Sequence, residues 1–153
     1  VPRTDSASRH VAAPAEQVFA ALVDPAALAA WLPPEGMSGR FEHADIRPGG
    51  WYRLVLSYDD PTSGTGKTTA GTDVVDSRIV DLVPGQRLVQ EVDFVADDPA
   101  FAGTMAMTWS VAPADGGTLV SVRADGVPDG ISAADHAVGL ASSLANLAAY
   151  VGG

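Results

Sequence analysis

The chain alternates between two hydrophobic periods. From Pro14 the stretch PAEQVFAALVD puts Val18, Phe19, Leu22 and Val23 on one side of a helix, with Pro14 as its opener. Pro25 restarts the chain as a short second helix, PAALAAWL, which Pro33 and Pro34 stop. Ahead of both, SRHVA (residues 8–12) predicts a first strand. From about residue 38 the period falls to two. GRFEHADIR, WYRLVLSY, GTDVVDSRIVDLV, RLVQEVDFV, TMAMTWSVA and TLVSVRA are six strand candidates, parted by turn signals such as Pro48-Gly49-Gly50, Pro84-Gly85 and Asp115-Gly116-Gly117. Connections this short imply antiparallel neighbours, because a parallel crossover takes about a dozen residues or more. At Ser132 the helical period returns. Ser132 with Asp135 makes a box-like N-terminus, and Leu140, Leu144, Leu147 and Val151 follow at helical spacing.

This order predicts an α+β fold in which a curved, seven-stranded antiparallel sheet wraps around a long C-terminal helix, with two short helices after the first strand. The terminal helix is the only long element available to cover the sheet's apolar concave face. With no internal repeat and no low-complexity linker, residues 1–153 read as a single domain, a size that buries roughly 70% of its unfolded surface.

Charge narrows the partners. The chain carries 19 acids against 9 bases, a net charge of -10, and Lys67 is its only lysine. Nucleic acid, which needs clustered Lys and Arg, is excluded, and an anionic membrane surface is disfavoured. The N-terminal residues lack the apolar run of a signal peptide, and no stretch is apolar enough to span a bilayer. With no cysteine there is no disulfide framework and no thiol chemistry. These features suit a cytoplasmic setting.

The segment SGTGKTT (63–69) looks like the end of a phosphate-binding loop. That motif needs a glycine five positions before Gly66-Lys67-Thr68, where the chain has Pro61. It also needs a strand running into a helix, and this segment joins two strands. It reads as a hairpin tip, without a nucleotide.

A second stretch is more informative. Asp45-Ile46-Arg47-Pro48-Gly49-Gly50, followed by Trp51-Tyr52-Arg53, resembles the signature of the homologues of the heat-shock-protein ATPase activator, members of the START-like (SRPBCC) helix-grip superfamily. The run from Val11 to Phe19, Asp24-Pro25 with Trp31, Arg78 to Pro84 with Arg87-Leu88-Val89, and Gly117-Thr118 are similar to the family at the corresponding places. One departure stands out: where the family often begins its last helix with Gly-Trp, this chain has Gly139-Leu140. The resemblance implies a cavity for apolar ligands between sheet and long helix, and the missing indole implies more open volume there.

The side chains expected around such a cavity are Trp31 from the second helix, Trp51 and Arg53 from the strand after the glycine corner, Phe94, and Met105, Met107 and Trp109, which alternate onto one strand face. His136, Leu140 and Leu144 would come from the last helix. The same apolar stripe serves equally well as ordinary core. Glu91 and Asp93 share a face about 7 Å apart; buried, they would be candidates for paired acid and base work, and outward they are simply solvated. His136 is a third catalytic candidate or a solvated helix-end histidine. Arg47 either fixes the corner through Asp45 or, at a cavity rim, forks onto a ligand carboxylate. No His-x-x-x-His, Glu-x-x-His or cysteine cluster offers metal-ligand spacing, and Ser142 and Ser143 lack a nucleophile elbow. No metal and no cofactor are expected.

Two classes of function remain. The first is a cavity protein for a small apolar or aromatic molecule, acting as carrier or promoting a cofactor-free cyclisation or isomerisation, as resemblance to the superfamily's polyketide cyclases implies. The second is a cochaperone-like protein-interaction module without a ligand, with a place in the stress response, as the family's namesakes imply. A homodimer is compatible with either.

Overall fold

The computed structural model describes residues 3–34, 36–59 and 72–152. The SGTGKTT segment lies outside the described residues. Strand β1 (Thr4–Val11) begins earlier than its own alternation suggests, because its polar half is held in register by a partner strand. Pro14 sits one position outside α1 (Ala15–Val23), as its N-cap. Asp24 then separates the two short helices. Its carboxylate accepts from the Ala26 amide at 3.1 Å and caps α2 (Pro25–Trp31), which starts on Pro25.

Six strands follow: β2 (Met37–Ala44), β3 (Trp51–Tyr58), β4 (Thr72–Val83), β5 (Arg87–Phe94), β6 (Met105–Ala114) and β7 (Gly117–Asp125). Strand β2 stops before Asp45, so the expected strand end, Asp45–Arg47, belongs to the corner instead. A final helix, α3 (Ala133–Tyr150), is capped by the Ser132 hydroxyl, which accepts from the Asp135 amide at 3.0 Å. The sheet is antiparallel throughout, in the order β1-β7-β6-β5-β4-β3-β2. The two short helices therefore carry the chain from one edge of the sheet to the other, and the meander returns to β1. This is the α+β helix-grip architecture. Among the described residues no helix is long and apolar enough to cross a membrane.

Helix α3 packs against β1 and α2, and α1 packs against β6, β7 and α2. Trp31 anchors the short helices. It is fully buried, lies edge-on to Trp109 with ring centroids 5.4 Å apart, and donates its indole N–H to the Ala21 carbonyl at 2.8 Å. Polar hooks hold α3 in place: Ser143 Oγ donates to the Leu32 carbonyl at 2.7 Å and Asn146 Nδ2 to that of Pro33 at 3.0 Å. The apolar interior falls into two packed groups. The larger surrounds Trp31, Trp109 and Leu144, and the smaller gathers Val92, Met105, Ala124, Val127 and Ile131.

The glycine corner has a structural explanation. Gly49 adopts φ 82°, a left-handed conformation that glycine reaches without penalty. Its amide donates to the Ile79 carbonyl at 3.0 Å, and the Ile79 amide donates back to Gly50 at 2.9 Å. The corner is thus stitched onto β4 where that strand's pairing with β5 shifts register between Ile79 and Asp81. A Cβ on Gly50 would collide with the Asp45 carbonyl oxygen. Gly50→Ala is expected to cost about 2 kcal/mol or more of stability, read as a lower thermal midpoint. An unchanged midpoint would contradict this close approach.

Candidate functional site

The concave face of the sheet is built from alternate positions. Strand β3 turns Tyr52, Leu54, Leu56 and Tyr58 inward, β5 turns Leu88, Gln90, Val92 and Phe94 inward, and β6 contributes Met105, Met107 and Trp109. Between this face and α3 lies a cavity of about 640 Å³, within the range of small-molecule sites, which run to roughly 300–1,000 Å³. Its walls come from both packed groups of the core: Trp31 and Leu88 from one, Val92 and Ile131 from the other. The closed end is marked by Leu22 and Trp31, each 1% exposed, and the mouth by Val138, 71% exposed.

Polar groups are few and placed. Gln90 Nε2 donates to the Tyr52 hydroxyl oxygen at 3.0 Å, reaching across β4. Ser77, opposite Tyr52 in register, lays its buried hydroxyl against the same phenol, short of full hydrogen-bond geometry. Burial pushes the Tyr52 phenol above its ordinary value of 10.0, only partly offset by Ser77 and Gln90. Tyr52 is therefore a neutral hydrogen-bond donor at physiological pH, with its oxygen already accepting. Asp73, buried at the start of β4, adds a carboxylate to the wall. At the start of α3, the capping Ser132 with Asp135 and His136 lines the cavity. The His136 Nδ1 is 2.7 Å from Asp5 Oδ2.

Of the residues singled out from the sequence, Trp31, Phe94, Met105, Met107, Trp109, His136 and Leu140 come together around this cavity. Four others do not line it. Leu144 is fully buried one turn deeper, in the packed core. Arg47 is exposed and its Nε–H is shared between the two carboxylate oxygens of Asp45, at 2.9 and 3.0 Å, fixing the corner. Trp51 and Arg53 have the opposite parity to Tyr52 and Leu54, so both face the convex side. There Trp51 stacks on His43, with centroids 4.3 Å apart, and Arg53 makes a two-pronged pair with Asp76 at 2.7 and 2.8 Å.

Glu91 and Asp93 also lie on the convex face. Asp93 stands directly opposite Asp76, a like-charge pair that Arg53 and Arg78 neutralise from either side. Arg78 reaches Asp93 at 2.8 Å and Glu91 at 3.7 Å. This is an exposed charge lattice, far from the shared, proton-trading environment that paired acid and base work requires. The sequence reading missed Tyr52, Gln90, Asp73 and Asp5. Strand parity from Leu54 and Leu88 points the first two inward; no local signal joins Asp5 to His136. Among the described residues, no group of three His, Cys, Asp or Glu side chains is arranged to hold a metal ion.

Comparison with known proteins follows the same lines. The profile of the family described as "Activator of Hsp90 ATPase homolog 1-like protein" matches residues 12–152. Protein CV1439 from Chromobacterium violaceum has a similar solved structure, with 35% sequence identity and a TM-score of 0.85 over 97% of this chain and 96% of that one. Protein MLL2253 from Mesorhizobium loti is 23% identical with a TM-score of 0.73, covering 97% of this chain and 96% of its own. DynU16, a putative protein in the dynemicin biosynthetic locus, is 21% identical with a TM-score of 0.69; the match covers 97% of this chain and 46% of DynU16. The last two likenesses carry the fold alone. No curated protein matches the chain.

Two measurements check this geometry. Burial would raise the Asp93 carboxyl, but hydrogen bonds from Thr104 and Arg78, with the charge of Arg78, outweigh it and hold the group below its ordinary 3.8. A depressed carboxylate stabilises the fold above its unfolded value and loses that contribution as pH falls through the folded one. Asp93→Asn should therefore flatten the loss of stability between about pH 5 and about pH 2; an acid titration parallel to wild type would refute the pairing. Gly139 lines the cavity on α3, and a Cβ there meets nothing within 4 Å. Gly139→Ala should raise stability by about 0.5–1 kcal/mol through helix propensity, and a lower denaturation midpoint would show that the space is not open.

Proposed function

The chain belongs to the Activator of Hsp90 ATPase homolog 1-like family, and from that premise we propose that it binds a small apolar or aromatic molecule between its sheet and C-terminal helix. One observation carries this reading: a cavity of about 640 Å³ lies between the sheet and α3, walled by residues of both packed groups. Protein interiors are packed as tightly as organic crystals, with few voids larger than a water molecule. Water admitted through the mouth makes few contacts with apolar walls, whereas an apolar molecule of matching shape would recover them, which supports a ligand site.

The walls specify the occupant. Aromatic and flexible thioether side chains, Trp31, Phe94, Trp109, Met105 and Met107, fit a flat apolar body. Tyr52 and Gln90 fix its orientation through a buried donor and an amide. The same features support cyclisation or isomerisation without a cofactor: a shaped wall that holds a substrate in one conformer, exclusion of water, and a neutral phenol to meet charge that develops on a carbonyl oxygen. The cochaperone-like reading rests on the family's description; among the described residues the large exposed apolar side chains are spread along the convex side of the sheet (Trp51, Val80, Leu119), just past β5 (Val95) and over α3 (Val138, Tyr150).

Calorimetric titration with 2-methoxynaphthalene, an aromatic of suitable size, tests the proposal. Saturable one-to-one binding is expected. Met107→Trp, which adds bulk on the cavity wall, should weaken it at least tenfold, about 1.4 kcal/mol, with an unaltered circular dichroism spectrum. Absence of binding by folded wild type would overturn the reading. Equal affinity in the variant would place the ligand elsewhere.

A further inference from the structure

Asp5 and His136 are 131 positions apart in the chain, yet their side chains meet at the cavity wall. We propose that they form a proton-accepting dyad, and that the molecule the cavity takes carries a weakly acidic hydroxyl, a phenol or an enol, which His136 Nε2 receives. This rests on the cavity reading above.

Three observations carry it. First, the pair is enclosed: the side chains are 12% and 13% exposed, and their atoms lie 2.7 Å apart. Second, the carboxylate is built to stay ionised. Arg3 forks onto it through Nε and Nη2 at 3.1 and 2.9 Å, and Arg3 is itself held by the Ile131 carbonyl at 2.6 Å. Burial would raise the Asp5 carboxyl, but the bonds from Arg3 and His136 and the Arg3 charge outweigh it, so its value is lowered. An ionised carboxylate only accepts. The neutral imidazole must then carry its proton on Nδ1, which leaves Nε2 as a lone-pair acceptor. Third, His136 forms part of the cavity wall, and with Nδ1 committed to Asp5, Nε2 is the ring nitrogen left to meet an occupant.

Asp5 and Arg3 precede residue 12, where the family match begins, so family likeness does not assign them. Among the described residues the charged neighbours are Arg3, just ahead of β1, Asp5 from β1 and Asp135 from α3. Two carboxylates and one guanidinium leave net negative charge beside the ring. A fatty or purely hydrocarbon occupant would leave Nε2 unsatisfied. A carboxylate ligand would meet like charge. An acidic hydroxyl fits both constraints: its O–H bond breaks as Nε2–H forms, the ligand oxygen keeps the electron pair, and Asp5 compensates the positive ring. On release the proton returns. His136 touches the ligand; Asp5 is a positioning residue that sets the tautomer and stabilises the imidazolium.

The test compares 2-naphthol with 2-methoxynaphthalene, which has the same ring system and no acidic proton. Wild type should bind 2-naphthol about tenfold or more tightly, as a charge-assisted hydrogen bond warrants. With protein in excess and excitation beyond the tryptophan band, bound 2-naphthol should emit as naphtholate, since an adjacent base takes the photoacid's proton. His136→Gln should bring the two affinities together and leave only naphthol emission. Asp5→Asn should lose most of the naphtholate band while 2-methoxynaphthalene still binds, a change that loss of packing alone would not produce. If wild type binds both probes equally and emits only as naphthol, the dyad is overturned and the cavity reading survives. If it binds neither probe, the cavity reading itself falls, and the dyad's role falls with it.

Discussion

A single helix is too narrow for the sheet it has to cover. Seven strands at about 4.8 Å spacing span nearly 30 Å, whereas a helix with its side chains is about 10–12 Å across. Curvature of the sheet reduces the mismatch without removing it. Every other feature of the interior answers this shortfall. The two short helices fill the space at one end through Trp31 and its neighbours, a second packed group closes part of the other end, and the cavity is what remains between them. Its volume comes from the arrangement of elements, and its chemistry comes from whichever side chains the strands happen to turn inward.

The helix is kept above the sheet mainly by its flanks. Ser143 and Asn146 donate to the carbonyls of Leu32 and Pro33, just past the end of α2. At the far end Gln17 Nε2 donates to the Val151 carbonyl at 3.1 Å, and Arg3 reaches the Ile131 carbonyl just ahead of the helix. These bonds satisfy backbone oxygens that helix ends and turns would otherwise leave unpaired. They also fix the height of the helix independently of how well its apolar face fills the space beneath. That separation of positioning from packing is what lets the protein keep an open interior and one defined structure.

Much of this was legible in the sequence, and the reasons differ by element. WYRLVLSY is β3 from first residue to last, because both ends are marked by turn residues and its alternation is clean. The same alternation already contains the facing of Trp51 and Arg53: they share parity with each other and not with Leu54 and Leu56, so reading them as cavity residues gives side-chain chemistry more weight than register. The strand signal of β1 starts late because its polar half, TDSAS, carries no hydrophobic alternation; β7 supplies the pairing. The contacts that define the polar corners, Tyr52 with Gln90 and Asp5 with His136, join residues far apart in sequence. Periodicity places each residue on a face and carries no information about which distant face it will meet.

The route of the chain has a kinetic consequence. Strands β2 to β7 form a meander in which each pairs with its sequence neighbour, while β1 must cross to the far edge and join β7, bringing Thr4 opposite Asp125. Loop-closure entropy and contact order both make that the slow, late pairing of the sheet. Because Asp5 rides on β1, the polar corner of the cavity comes into being only with this last step. An unfinished molecule would have the apolar walls and lack the charged corner, so a ligand that needs both can recognise only completely folded protein.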